Sequence, residues 1–331
     1  MKTNLKYIEI KKYKCFKDFE AKGFKRVNLI SGINNTGKTS LLEALWTNLY
    51  SNDIDSMWTS LSTIRGMRNN LEYVFNIYNS NIIKGNLESI ENYSVKTNIN
   101  DSIFSFNKLD DDLKEYSFNI NYKLSIVDTR YFKYTPSYYK HIRFIDHFGL
   151  SNNELKEIYL DLEKKNKEDI LYRLINEFDD DLLNMKILGD DNPYCKMKHN
   201  NKYKNINDFG GGIKNYISII CSLYACENGY LFIDRLENGI HYSKIDRLWE
   251  IIFIISKELN VQVFTTTDSK ECIKSYIDVS KRIDDNDVTY IELLKNKDAK
   301  IEALFSSYKL FEYGITENHK LKDNPKSTYF T

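Results

Sequence analysis

The segment Gly32-Ile-Asn-Asn-Thr-Gly37-Lys38-Thr39 sets two glycines, a lysine and a hydroxyl at the spacing G-x-x-x-x-G-K-[ST]. Glycines at those positions let backbone amides turn inward onto an anion, and a helix beginning at the lysine adds partial positive charge. A lysine there reaches the outer phosphates of a polyphosphate, and the following hydroxyl is a ligand suited to Mg2+. The binding candidates are Gly32, Asn34, Asn35, Thr36, Gly37, Lys38, Thr39 and Ser40. A chance glycine turn before a helix is the alternative. The context argues against it, because β-favouring residues 26–31 precede the loop and Leu41, Leu42, Leu45 and Leu49 follow on one helical face.

A phosphate site of this kind needs a second carboxylate to hold magnesium through water, at the end of a neighbouring buried strand. The run Tyr230-Leu-Phe-Ile-Asp234 fits, so Thr39 and Asp234 are the metal candidates. Gly210, Gly211 and Gly212 open an apolar stretch at 213–225 and read as a glycine-rich helix start, another potential anion site. Residues 260–269, NVQVFTTTDS, look like a further parallel strand ending in polar residues at the sheet edge.

Other elements position these groups. Ser151 and Glu154 have capping-box spacing for a helix through about residue 164, and 168–178 carries an apolar stripe. Strands are expected at Tyr116 to Val127 and at Leu182 to Leu188, and a closing hairpin at 287–305. Residues 130–143, RYFKYTPSYYKHIR, are the nucleic-acid candidate, although a chain with 25 Tyr also makes such stretches by accident.

Lys+Arg and Asp+Glu are both 47, which excludes a global basic field as the advertisement for nucleic acid. The five cysteines lack metal-ligand spacing and suit reduced, buried thiols in a cytoplasmic protein. No apolar run approaches a membrane span, and no membrane partner is expected.

The opening YIEIKKYKCFKDFEAKGFKRVNLISGINNTGKTSLLEAL resembles the amino-terminal lobe of ABC-type ATPases of the RecF, SMC and OLD kind. Residues 208–273 are similar to the signature, Walker B, D-loop and switch regions of the same proteins, and within that group the chain looks like compact bacterial AAA-type ATPases of phage defence. The resemblance implies an α/β fold: a P-loop NTPase built as an ABC-type ATPase head with an inserted α+β lobe. Residues 1–50 and 209–319 would form the head, 51–208 the lobe and 320–331 a flexible tail. ATP and Mg2+ are the implied ligands. Heads would pair as a homodimer or higher oligomer, with Gly210 to Gly212 of one chain facing ATP on the other. No heptads for an SMC rod and no carboxylate-rich nuclease domain accompany the head.

Two positions depart from the pattern. Arg235 stands where relatives carry the glutamate that polarises the attacking water, and Asp268 where they carry the switch histidine; a Q-loop glutamine also has no counterpart, the single glutamine being Gln262. Asp234, Arg235, Glu237 and Asp268 are therefore the catalytic candidates. Arg235 admits three readings: a charge on the γ phosphate, an ion pair with Glu237 or a partner's carboxylate, or a bystander while Glu237 handles the water. His241, at the place of the relatives' "GLH" histidine, reads foremost as a helix-start residue at a dimer edge. The expected function is an ATP-binding ATPase subunit, slow or partner-dependent in hydrolysis, gating a separate nuclease or toxin in phage defence. Alternatives are a RecF-like ATP-dependent DNA-binding repair protein and a catalytically dead nucleotide-binding scaffold.

Overall fold

The computed structural model describes residues 4–50, 93–99, 101–104, 116–120, 122–126, 141–147 and 149–306. The polar tail at 320–331 and most of the 130–143 stretch lie outside these residues.

The central sheet has the order β15-β14-β3-β13-β12-β8. Its strands are β3 (Val27–Gly32), β8 (Ile142–Ile145), β12 (Tyr230–Ile233), β13 (Gln262–Thr266), β14 (Val288–Lys295) and β15 (Ile301–Ser306). All neighbours pair in parallel except β14 with β15, the expected closing hairpin. Buried on both faces, the parallel strands read as nearly continuous apolar runs, as such sheets require.

Alternation along these strands divides the core in two. Val27, Leu29, Leu231, Ile233 and Val263 face one cluster, and Ile30, Tyr230, Phe232, Phe264 and Ile291 face the other. Numbering helices along the described residues, the first cluster is covered by α2 (Asn152–Lys164), α3 (Glu168–Phe178), α4 (Gly211–Ala225), α5 (Tyr242–Glu258) and α6 (Lys270–Arg282). The second is covered by α1 (Lys38–Tyr50) and by the hairpin of β1 (Tyr7–Tyr13) with β2 (Phe16–Lys22). Under α1, Phe144, Phe232 and Phe264 stand in register on adjacent strands with ring centroids 6.4 and 5.3 Å apart.

Several elements follow local sequence closely. Ser151 and Glu154 form the reciprocal capping box of α2, which spares the helix start its unpaired amides. The leading hairpin was not expected. It joins β4 (Tyr93–Thr97), β5 (Asp101–Phe104), β6 (Tyr116–Ile120) and β7 (Tyr122–Ile126) in an antiparallel sheet of order β2-β1-β4-β5-β6-β7. The single strand expected from Tyr116 to Val127 is instead two, paired back on each other with Ile120 opposite Tyr122. Asn119 and Asn121 are turn-favouring residues inside that run. A third sheet contains β9 (Leu182–Ile187), β10 (Pro193–Met197) and β11 (Tyr203–Asn205). Within the segment expected to be a lobe, β4 pairs with β1 and β8 pairs with β12, so it contributes strands to both large sheets.

Arg26 ties the start of β3 to the carboxyl-terminal half. Its buried guanidinium pairs with buried Asp285 and donates to the Phe253 carbonyl at 3.0 Å and to Ser256. The lone glutamine has a structural part of the same kind. Gln262 accepts from the Leu5 amide and donates to the Leu5 and Lys25 carbonyls, each at 2.8 Å.

Removing the carboxylate by Asp285→Ala leaves Arg26 charged and buried, a loss of about 3–5 kcal/mol. Urea unfolding should read it, and a midpoint equal to that of wild type would contradict this account of the pair. Cys195, Cys221, Cys226 and Cys272 are buried, and burial raises the thiols of Cys195 and Cys272 to about 12, whereas Cys15 is exposed. Thiol titration of native protein should therefore give one fast group, the others reacting only in denaturant; several fast groups would mean that the core opens readily.

Candidate functional site

Three of the loops at the carboxyl edge of the central sheet build the site. The first leaves β3 and enters α1. Gly32 (φ 145°), Asn35 (φ 65°) and Gly37 (φ 89°) take left-handed conformations, which explains the residue types at those positions. Space enforces the glycines as well: a Cβ on Gly32 would lie 2.4 Å from the Leu293 carbonyl oxygen, and one on Gly37 would lie 2.6 Å from Cys15 Sγ. Thr36 is buried and donates to the Ile33 carbonyl at 2.8 Å. Asn34 is exposed, and Ser40 is half-buried in the first turn of α1.

Lys38 is 8 % exposed. Its ammonium donates to the Gly32 and Ile33 carbonyls at 2.8 and 3.1 Å and lies 2.6 Å from Asp268 Oδ1. Thr39, next in α1, donates to the two carboxylate oxygens of Asp234 at 3.0 and 2.9 Å. The strand carrying Asp234 is not the neighbour of β3, since β13 lies between them. Thr266 at the end of β13 spans that gap: it donates to Asp234 Oδ1 at 2.6 Å and accepts from the Arg235 amide at 2.8 Å. Its only sequence signal was membership of the polar run in which β13 ends.

Arg235 adopts φ 59°, a conformation rare for residues with a side chain. Its guanidinium lies 3.3 Å from Asp268 Oδ2. Among the described residues the arginine's carboxylate partner is thus Asp268, a residue that none of its three readings had named. Glu237 accepts the Asp268 amide at 3.1 Å through one oxygen, while its other oxygen is closed off from solvent and has no hydrogen-bond partner. That geometry makes Glu237 a strut between the loops after β12 and β13.

The glycine cluster divides by environment. Gly210 caps α4 and Gly211 begins it, both exposed, with nothing within 4 Å of where a Cβ would stand. Gly212 is buried, and a Cβ there would meet the Gly239 carbonyl oxygen at 2.1 Å. Asn215 of α4 also donates to the Asn238 carbonyl at 3.0 Å, so the helix start is fastened to the loop after Asp234. Sequence reading missed Gly239 and Asn215 because nothing local marks a close approach between loops. His241 caps α5, its ring Nδ1 accepting from the Ser243 amide at 3.4 Å, in keeping with its reading as a helix-start residue.

The donor set suits the implied ligands. Thr39 and Asp234 supply only oxygen, as magnesium prefers, and Mg2+ commonly takes one or two protein ligands plus phosphate oxygens and water. Among the described residues no cluster of three or more His, Cys, Asp or Glu provides a self-sufficient metal cage.

Residues 1–182 match the model of the AAA ATPase domain family. The chain belongs to that family. This AAA ATPase is 26% identical over 344 residues to a Helicobacter pylori protein named ATP/GTP phosphatase, covering 88% of this chain and 92% of the relative. Its fold is similar to that of SMC heads. One, crystallised bound to the C-winged helix domain of ScpA, matches with a TM-score of 0.53 at 13% identity over 94% of this chain and all of the other. The head domain from Thermotoga maritima matches at 0.50 and 12% identity, over 92% and 100% of the two chains. The P-loop ATPase architecture expected from the motifs is therefore the observed one.

Gly212→Ala should destabilise the ATPase by about 1–3 kcal/mol, because the added methyl group meets backbone on the facing loop. Gly211→Ala, into open space, should be neutral or slightly stabilising. Thermal unfolding compares them, and equal midpoints for the two variants would refute the packing argument.

Proposed function

We propose that this ATPase is a nucleotide-held switch: a slow or partner-dependent ATP hydrolase that gates a separate effector, a nuclease or toxin, in phage defence within the cytoplasm. The observation that carries the reading is the contrast between two halves of one site. The binding half, made of the glycine loop, Lys38, Thr39 and Asp234, matches the P-loop pattern throughout. The hydrolytic half does not, because Arg235 and Asp268 contact each other where the family resemblance implies a glutamate and a histidine.

In the binding half, the glycine loop admits phosphate close to backbone, Lys38 neutralises phosphate charge, and Thr39 with Asp234 would hold Mg2+. The chemistry Mg2+ would supply, held by Thr39 and Asp234, is neutralisation of the charge on the outer phosphates. Thr266 keeps the Asp234 carboxylate aimed at Thr39 by occupying one of its lone pairs. With no glutamate after Asp234, turnover loses a group of the kind worth about 10²- to 10⁴-fold in rate.

The exposure of Gly210 and Gly211 supports pairing of two heads, each presenting this helix start to the nucleotide of the other. The segment 51–208 remains the proposed platform for an effector or DNA.

Isothermal titration of Mg·ATP together with single-turnover hydrolysis tests the reading. Wild type should bind and turn over slowly. Lys38→Ala should weaken binding at least tenfold, and Asp234→Asn should abolish the magnesium dependence of whatever binding remains. Rapid turnover by the isolated protein would overturn the switch, and failure of wild type to bind Mg·ATP would overturn the site assignment.

A further inference from the structure

Asp268 sits between two cations. One carboxylate oxygen lies 2.6 Å from Lys38 Nζ and the other 3.3 Å from the Arg235 guanidinium. The carboxylate is held in place by its surroundings. The residue before it, Thr267, donates its amide to the Ile30 carbonyl at 3.0 Å, and the residue after it, Ser269, caps α6 by accepting the Cys272 amide at 3.1 Å. Its own amide is held by Glu237. Arg235 is held as well, its left-handed backbone secured by the Thr266 hydroxyl. An anion is thus fixed against the lysine that a triphosphate must engage.

The contacts also explain why both positions depart from the resemblance together. An aspartate beside Lys38, with no compensating cation, would repel the incoming phosphate. Arg235 in place of the usual carboxylate supplies that cation. With two basic side chains and one acidic one, the trio keeps a net positive formal charge toward an incoming phosphate.

We propose that Asp268 is an internal competitor of the nucleotide's terminal phosphate for Lys38, and that Arg235 takes over its carboxylate when phosphate claims the lysine. The inference rests on the nucleotide-binding reading above and adds what sets its affinity. Lys38 begins paired to Asp268, so phosphate binding requires an exchange of ion-pair partners at Lys38. Arg235 makes that exchange easier because its guanidinium already lies 3.3 Å from the second oxygen and its side chain is 54 % exposed, whereas the hydrogen bond to Thr266 holds only its backbone. The two residues accordingly act as one device: the aspartate sets the threshold for nucleotide and the arginine limits it.

The test is calorimetric titration of Mg·ATP into the full chain as wild type, Asp268→Asn, Asp268→Ser, Arg235→Ala and the Asp268→Asn/Arg235→Ala double variant, with Lys38→Ala as reference. Each aspartate substitution should tighten Mg·ATP on the order of tenfold, a modest gain because Asp268 is 30 % exposed and its charge is screened. Two substitutions guard against a folding artefact of either one. Arg235→Ala should weaken Mg·ATP several-fold in the wild-type background and change it little once Asp268 is neutral. Unchanged or weaker binding by both aspartate variants, with Lys38→Ala still impaired, overturns the competitor while leaving the nucleotide site intact. An equal loss from Arg235→Ala in both backgrounds overturns the hand-over and assigns Arg235 to the phosphate itself. Absence of binding by wild type and both aspartate variants would overturn the competitor and the nucleotide reading together.

Discussion

The parallel seating of β3 between β13 and β14 is the constraint on which the rest of the molecule depends. Val27 pairs with Val263 on one side and with Val288 on the other, so the strand before the glycine loop is bonded to strands more than 200 residues away. Closing so long a loop costs conformational entropy, although the cost grows only slowly with length. Apolar packing on both faces of the sheet offsets it, and Arg26, buried against Asp285 at the foot of β3, ties that strand to the segment leading into β14.

From that register the site follows. Ile30 lies opposite Thr266, so the loops after β3 and β13 leave the sheet at the same level, with the Thr267 amide bonded back to the Ile30 carbonyl. Asp234 emerges one strand further, where Thr39 reaches its carboxylate directly and Thr266 of the intervening strand bonds the same carboxylate. The two aspartates of the site then differ in kind. Hydroxyl groups hold Asp234, which makes no ion pair among the described residues and is available to a metal shell. Cations hold Asp268, so its charge is spent on Lys38 and Arg235. Two carboxylates at the same sheet edge acquire different chemistry from their neighbours alone.

Much of this was legible in the chain. The glycine loop announced itself because a left-handed backbone and close approach demand particular residue types at fixed spacing, and Gly32, Asn35 and Gly37 bear that out in their dihedral angles. Asp234 was visible as the polar end of an apolar run, and the capping box of α2 as a four-residue pattern. The β1–β2 hairpin escaped notice because Tyr7 to Lys22 mixes lysines with apolar residues and contains only a short turn. The short strand β8, four residues long, carries too little alternation to declare itself. Its place beside β12 is decided by the aromatic row of Phe144, Phe232 and Phe264, a contact among three distant segments.

The arginine after Asp234 marks the boundary between the two kinds of information. Sequence by itself pointed to the P-loop, to Thr39 and Asp234 as the metal candidates and, through the family resemblance, to the ATPase fold class and to Arg235 and Asp268 as departures from the pattern, because each reading depends on residue type within a short window. Only the tertiary structure decided that Arg235 answers Asp268 and not Glu237, that Asp268 also reaches Lys38, and that Gly212 is glycine on account of Gly239. Those pairings join loops that follow different strands, and their geometry comes from sheet register, which no local pattern encodes.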